Sequence, residues 1–592
     1  MNVFESEILI ALKQSPFRHQ RELAARCGLA VGTVNKALRA LTAEGLLSED
    51  QTLTPAAEAL LESLRPRRAV ILAAGYGLRM VPIHRETPKA LLNVRGEVLI
   101  ERQIRQLREA GVQEITVVVG FMKESFEYLI DDFGVRLVVN SDYASYNNLH
   151  SLLRAASQLE NAYIVPCDLY AASNPFRPWE LHSWYMVSDR PDPESPVRVS
   201  RGGELVESRD ASRSNAMIGI AYVAAPDAPG LRQRLSSLAA DPAYRDAFWE
   251  DALLRDRRML FPARVVPADR ITEINTLDQL RELDGSSQDL RNETLSLIAR
   301  VLSAAPEEIT HITLQKKGMT NRSFLFTCRD RRYIMRIPGE GTDRLIDRRK
   351  EAAVYQVIRD LDVCDPVLYL DPETGYKITE YVEGARVCDP ASPEDVRRCM
   401  ARLRSFHSLG LRVDHTFEIF GQIDFYESLR QGAPSVYRDY AATRELIFSL
   451  RPWLERHVTR WGLTHIDAVP DNMLFCPGPD GREKILLIDW EYAGMQDQDV
   501  DLAMFCIYSL YDRQQTDALI DAYYPEGCPE ETRYKIYGYL AACGLLWSNW
   551  CEFKRMQGVE FGEYALRQYR YAKDFGRLLR DYMAAHPRHE ET

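Results

Sequence analysis

Residues Ala69-Val70-Ile71-Leu72-Ala73-Ala74 form an unbroken apolar run with no polar alternation. Such a run predicts a strand covered on both faces. It ends at Gly75-Tyr76-Gly77, a turn able to bring backbone N–H groups against phosphates, and Arg79 and Lys89 follow as cations. Beyond it, apolar runs alternate with amphipathic stretches, which predict helix 100–110, strand 115–119, helix 124–131, strand 135–140, helix 149–158 and strand 163–167. This order predicts a mostly parallel, doubly wound α/β sheet with ligands at the carboxyl ends of its strands. Asp168 falls at one such end.

Upstream the period is helical. Helices over 5–13, 20–27 and 31–43, a short wing near 45–54 and a helix over 56–64 are in the order of a winged helix-turn-helix, residues 1–64. Gly28 is placed to end the second helix. In that fold the third helix lies in the major groove, so Thr33, Asn35, Lys36 and Arg39 would face DNA. Lys36 and Arg39 are few cations for a phosphate footprint, and a packing or dimerisation module is the competing reading. Residues 65–68 and 281–289 read as linkers. After the second comes a helix over 292–303 and strands over 312–314, 323–328 and 333–337, a small antiparallel α+β lobe. Lys317–Asn321, with Gly318, is its phosphate-covering turn, and 378–384 reads as a hinge to a second lobe. The final helix, 567–580, reads as basic and solvated.

Composition narrows the classes. The chain has 592 residues, 46% hydrophobic and 27% charged, so it is expected to fold as several globular domains. A net charge of −12 argues against a protein that mainly coats nucleic acid. No apolar run reaches membrane-span length, and no signal-peptide pattern is present. Eleven cysteines without C-x-x-C spacing read as the reduced thiols of a cytoplasmic protein.

Two constellations carry chemistry. A glycine turn alone is weak evidence, and a dinucleotide-binding turn would need a third glycine. Leu72-Ala73-Ala74-Gly75-x-Gly77-x-Arg79, with Pro88-Lys89 and Asp168, resembles the sugar-phosphate nucleotidyltransferase superfamily. Val119-Gly120-Phe121, Phe126–Leu129, Asn140, Tyr146-Asn147-Asn148 and Ile271–Thr276 resemble its bacterial CTP:phosphocholine cytidylyltransferase branch. The resemblance implies that Leu72, Ala73, Ala74, Gly75, Gly77, Arg79 and Lys89 hold CTP, that Arg79 and Lys89 stabilise departing pyrophosphate, and that Asp168 binds Mg²⁺. The family's second metal-binding aspartate is Asn275 here. An amide oxygen brings no charge, and Glu273 is the neighbouring acid that could compensate. A quaternary ammonium calls for an aromatic cage, for which Trp184 and Trp249, with Tyr185 and Glu250, are the candidates; core packing is the competing reading for each.

The second constellation is His465-x-Asp467-x-x-x-x-Asn472, followed by Asp489-Trp490-Glu491. The spacing places Asp467 to accept a hydroxyl proton, and Asn472 and Asp489 to hold Mg²⁺ on ATP phosphates. Arg336 on a strand and Glu351 on the next helix would form the cation–glutamate pair that orients phosphates, with Gly318 and Asn321 also at the ATP. This part resembles the two-lobed choline/aminoglycoside kinase family. Arg336-Ile337-Pro338-Gly339-x-Gly341-Thr342 and Asp489–Gly494 resemble its bacterial choline kinase branch, which uses arginine where protein kinases use lysine. That resemblance implies that Trp547 and Trp550, three apart on one helix face, surround a trimethylammonium group; Tyr508 and Tyr511 are weaker candidates.

The expected architecture is therefore a winged helix (1–64), a nucleotidyltransferase (67–284) and a kinase (290–592). The implied function is phosphorylation of choline by ATP, then coupling of phosphocholine to CTP, giving CDP-choline for decoration of cell-surface glycans. Mg²⁺ is the implied cofactor. The same chemistries on ethanolamine, a 2-aminoethylphosphonate cytidylyltransferase, and a DNA-binding regulator with sensor-like enzyme domains stay open as alternatives. The sequence is silent on oligomeric state.

Overall fold

The computed structural model describes residues 1–77, 80–83, 87–208, 210–255, 257–315, 321–339, 345–478 and 481–587. Arg79 and Gly318 lie outside the described residues. The chain divides into two compact units, Met1–Leu314 and Gln315–Thr592. Residues 290–314, which the sequence places with the kinase, are counted with the first unit.

The first unit opens with helices Val3–Gln14, Gln20–Cys27, Val31–Ala43 and Pro55–Ser63. Gly28 ends the second helix in the left-handed conformation, φ 63°. The wing is reduced to a single bridge, Leu47 to Leu53. The first helix packs against the adjoining sheet domain. Leu181 is buried among Ile8, Leu9 and Leu12, Glu7 pairs with Arg177 at 2.8 Å, and Lys13 lies over the Trp179 ring.

Strand Arg68–Ala73 lies between Glu114–Val119 and Ala162–Pro166, parallel to both, and Arg136–Val139 adds a fourth parallel strand. Alternation sorts its apolar run into two cores. Ala69, Ile71 and Ala73 face Ile100, Ile104 and Leu107 of helix Leu99–Glu109. Val70 and Leu72 face Leu149 and Leu152 of helix Asn148–Arg154. Both faces are covered, so the sequence shows no polar alternation. Beyond Asp168 the sheet turns mixed: Asn215–Val223 runs antiparallel to Ala162–Pro166, and Trp184–Pro191 antiparallel to it in turn. A two-strand ladder pairs Glu273 with Leu169.

In the second unit, strands Asn321–Cys328, Arg331–Pro338, Lys377–Glu380 and Val367–Leu370 pair antiparallel, with helix Arg348–Ile358 following the second of them. A helical lobe follows, built largely on Glu530–Met556 and Glu563–Ala585. The last helix is not the solvated one expected: Tyr569, Ala572, Phe575 and Leu579 line its buried face. Its basic residues occupy the other side, an amphipathic pattern that its charge density hides.

Candidate functional site

The first cleft opens where strands Arg68–Ala73 and Ala162–Pro166 end. It is a cavity of about 580 Å³ lined by Leu72, Ala74, Gly75, Gly77, Lys89, Asp168 and Asn275, among others. Gly77 has φ 61°, and a Cβ there would meet the Lys89 side chain at 3.4 Å. Gly120 fixes the neighbouring wall, because a Cβ would lie 2.7 Å from the Ala74 carbonyl oxygen and 2.8 Å from Tyr143. Ala73 is buried in the core beside the turn and does not line the cavity.

Lys89 is the hub of this cleft. Its Nζ lies 2.5 Å from Asp168 Oδ2 and 2.7 Å from Asn275 Oδ1. The small ladder explains the meeting of residues so distant in sequence: the Ile274 N–H donates to the Asp168 carbonyl at 2.9 Å, which sets Asn275 beside Asp168. The other carboxylate oxygen of Asp168, Oδ1, is buried with no hydrogen-bond partner among the described residues. An orphaned carboxylate oxygen at the mouth of a phosphate-sized cleft fits a hard cation with oxygen ligands. Glu273 is exposed and does not line the cavity.

The aromatic cage expected here is corrected. Trp184 is 1% exposed, packed against Tyr163 with Arg264 stacked 3.8 Å from its ring centre. Trp249 is fully buried against Tyr185. Glu250 is buried behind the wall, accepts from the Tyr185 hydroxyl, and is pushed up to about 7 by burial. These rings fill the sheet core because large apolar surface is most favourably buried there. The aromatics that do line the cleft are Tyr76, Tyr143, Tyr146 and Phe248, with Asp246 beside them. Phe248 is 57% exposed. Sequence places Tyr146 in a motif without giving it a role. Phe248 adjoins Trp249, and nothing in sequence told the exposed neighbour from the buried one.

The second cavity, about 470 Å³, lies within the second unit. It gathers Asn321, Arg336, Asp467, Asn472, Asp489, Trp547 and Trp550, which are far apart in sequence. Arg336 and Glu351 form a buried bidentate pair, Nη1 to Oε1 at 2.5 Å and Nη2 to Oε2 at 2.8 Å. Arg348, part of the kinase-like motif Ile346-Asp347-Arg348 but given no role from sequence, bridges Glu351 and Glu491 at 3.1 and 3.0 Å. Asn321 donates to Glu491 at 2.8 Å and accepts from Arg348 at 3.0 Å. Asn321 and Glu351 are therefore parts of the scaffold behind Arg336.

Asn472 donates its side-chain amide to Asp467 Oδ2 at 2.9 Å, which fixes that carboxylate and leaves the Asn472 oxygen for another partner. Burial pushes Asp467 up to about 7, with Glu491 adding to the shift and the Asn472 bond opposing it. Burial also pushes Asp489 well above the usual carboxylate range; Glu491 adds to it, and Arg336 and Lys377 oppose it. Asp489, crowded by Glu491, and the free Asn472 oxygen fit a divalent cation, which would relieve the burial cost at Asp489.

Trp547 and Trp550 meet edge to face at 5.6 Å, and Tyr492 meets Trp547 edge to face at 5.7 Å. Tyr492, Met504, Tyr508 and Tyr564 complete this wall. Tyr508 donates to Asp471 at 2.5 Å, whereas Tyr511 bonds the Pro390 carbonyl and does not line the cavity. Tyr564 and Met504 carry no local signal and arrive through helix packing.

On the winged helix, Lys36 and Arg39 are exposed and Thr33 and Asn35 half-buried; Asn35 donates to Gln20 at 3.2 Å. Residues 1–64 hold six Lys/Arg against eight Asp/Glu. No helix among the described residues is long and apolar enough to cross a membrane.

These sites define the class: a chain with a nucleotidyltransferase domain and a kinase-type phosphotransferase domain. Family models agree, matching winged helix-turn-helix DNA-binding at residues 1–48, a MobA-like NTP transferase domain at 69–177 and a phosphotransferase enzyme family at 311–537. The chain is 33% identical to a choline-phosphate cytidylyltransferase of Streptococcus pneumoniae over 231 residues, covering 38% of this chain and 99% of the relative. It is 33% identical to a 2-aminoethylphosphonate cytidylyltransferase of Lancefieldella rimae over 232 residues, covering 36% of this chain and 91% of the relative. The chain belongs to the cytidylyltransferase family that these two relatives represent. The crystal structure of choline kinase LicA from Streptococcus pneumoniae aligns with 29% identity and a TM-score of 0.42, covering 48% of this chain and all of that one.

Proposed function

We propose that this chain phosphorylates choline with ATP and joins the resulting phosphocholine to CTP, forming CDP-choline and pyrophosphate, with cell-surface glycan decoration as the downstream use. The three domains are 1–64, 67–284 and 290–592. The observation that carries the reading is the convergence of Asp467, Asn472, Asp489 and the Trp547/Trp550 pair on one cavity. A hydroxyl-activating acid and an aromatic wall for a quaternary ammonium suit choline's two ends.

In the kinase, Asp467 takes the choline hydroxyl proton as that oxygen bonds the γ-phosphorus and the bond to the β-phosphate oxygen breaks. Arg336, held by Glu351, faces the phosphates. Asn472 and Asp489 would hold Mg²⁺, which neutralises charge on the transferred phosphoryl group. In the transferase, a phosphocholine oxygen bonds the α-phosphorus of CTP and pyrophosphate leaves. Gly75, Gly77 and neighbouring backbone hold the phosphates, and Lys89 neutralises the charge that develops. Asp168 and Asn275 would hold the cation there. Tyr146 and Phe248, with Asp246, are the aromatics and acid open to the choline end, in place of Trp184 and Trp249.

The test is one incubation of the full chain with choline, ATP, CTP and Mg²⁺, followed by product analysis. CDP-choline is expected, and its absence together with that of phosphocholine sinks the proposal. The 2-aminoethylphosphonate relative favours a second reading of the transferase. A phosphonate needs no phosphorylation, so a fused hydroxyl kinase weighs against it; a higher rate with 2-aminoethylphosphonate than with phosphocholine would establish it. Exposed Lys36 and Arg39 leave DNA binding as an added property of residues 1–64, to be tested by gel shift over a salt series.

A further inference from the structure

Lys377 was singled out by no motif, yet it sits in the kinase cavity beside Arg336. The two are directly opposed on neighbouring antiparallel strands, and Ser323 opposes Arg336 on its other side. Directly opposed residues share a face, so Ser323, Arg336 and Lys377 form one row across the sheet, and all three line the cavity.

The helix behind the row serves both cations. Glu351 grips Arg336, and one turn later Tyr355 accepts from Lys377 Nζ at 2.8 Å. The grips differ in strength. Both terminal nitrogens of Arg336 are bound to Glu351, and Nη2 also donates to the Gly375 carbonyl at 3.0 Å. Its Nε–H is buried without a hydrogen-bond partner among the described residues, and Nη1 uses one of its two N–H groups on Glu351. Lys377 has three N–H donors. One is taken by Tyr355, a second reaches the Asp365 carboxylate only at the long distance of 3.5 Å, and the third has no protein partner among the described residues. Lys377 is 6% exposed, so its remaining donor capacity is directed at the cavity instead of bulk water.

We propose that Lys377 is a second phosphate-binding cation of the kinase cavity, which with Arg336 forms a two-pronged site for the polyphosphate of the nucleotide. This rests on the kinase reading above. Of the ligands that reading brings to the cavity, choline is a cation and would be repelled, and adenosine is uncharged. The polyphosphate supplies the anion that a desolvated ammonium requires. Phosphocholine carries the same phosphate chemistry, so the test separates the two.

The experiment is calorimetric titration of the full chain with ATP, ADP, adenosine and phosphocholine, for wild type, Lys377→Met, Lys377→Arg and the double variant Lys377→Met/Asp365→Asn. The double variant removes the carboxylate that the single change would leave buried and unpaired. Both methionine variants should lose about tenfold in affinity for ATP and ADP, the worth of one charge-assisted hydrogen bond, with adenosine and phosphocholine unchanged and Lys377→Arg recovering much of the loss. The assignment is overturned if ATP and ADP bind the methionine variants as they bind wild type. It is overturned equally if adenosine is lost in parallel, which would make Lys377 a packing residue, or if phosphocholine alone is lost. A wild-type chain that neither binds ATP nor forms phosphocholine overturns the kinase reading itself.

Discussion

The carboxylate of Asp501 accepts the backbone N–H of Ile466 at 2.7 Å and that of His465 at 3.0 Å. Ile466 has φ 68°. A β-branched residue in the left-handed region costs on the order of 1–3 kcal/mol, so something must hold it there. Asp501 does so, itself steadied by His407, whose other ring nitrogen meets the Tyr523 hydroxyl at 2.7 Å. The strained turn puts Asp467, the next residue, into the cavity. Asp501→Asn replaces an ionic acceptor with an amide that presents only one oxygen to two N–H groups. Kinase kcat should fall by about 10- to 100-fold, the weight of one or two buried charge-assisted hydrogen bonds, while KM for ATP changes little. Steady-state kinetics on the full chain check this; an unchanged kcat would show that the turn holds itself.

The raised Asp467 sets a pH dependence. A general base must be ionised, and burial pushes this carboxyl up to about 7. Below that pH it carries a proton and cannot take another. The kcat/KM for choline should therefore be level above about pH 8 and fall as pH drops through 7, with unit slope. Asp467→Asn should lower turnover by about 10²- to 10⁴-fold and abolish that limb. A profile flat to pH 5.5 would remove Asp467 from the role of base.

The tryptophan pair should decide between amino alcohols. A trimethylammonium group cannot donate hydrogen bonds, so aromatic faces are its main source of binding, at about 0.5–2 kcal/mol each. Trp547→Ala and Trp550→Ala should each raise KM for choline by about tenfold, with a smaller change for ethanolamine, whose ammonium is also satisfied by hydrogen bonds. Equal losses for both substrates would make the pair a packing feature.

How much of this was legible follows from how local each signal is. Asp467, Asn472 and Asp489 stand in two short segments whose spacing reflects one loop and one hairpin, so they could be placed by counting. The glycine turn was legible for the same reason. Lys377 opposite Arg336 was not, because strand register is set by tertiary pairing. Trp184 and Trp249 failed as cage residues because composition shows an aromatic and not which way it faces; burial is decided by the mixed half of the sheet, whose strands after Asp168 were not read. The small ladder that joins Asn275 to Asp168 is likewise a long-range pairing. Residues 1–64 were legible as helices with caps. Their docking through Glu7, Lys13 and Leu9 was not, since it depends on Arg177, Trp179 and Leu181 from another domain.

Asn275 makes the transferase testable from the other side. Its Oδ1 and Asp168 Oδ2 share the ammonium of Lys89, so the carboxamide contributes a dipole where an aspartate would contribute a charge. Asn275→Asp adds that charge beside Asp168. The Mg²⁺ concentration for half-maximal CDP-choline formation should fall by roughly tenfold, as expected for one more anionic ligand to a hard cation. Lys89→Met removes the ammonium that the proposed mechanism sets against the leaving pyrophosphate and should cost about 10²- to 10³-fold in turnover, whatever the Mg²⁺ concentration. Both are measured on a chain that also carries Asp467→Asn and is supplied with phosphocholine, so the kinase contributes nothing to the signal. An Asn275→Asp chain with the wild-type Mg²⁺ dependence would show that residue 275 serves only to hold Lys89. In that case Asn275→Leu, which leaves the ammonium held by Asp168 alone, should lower turnover without shifting the Mg²⁺ curve.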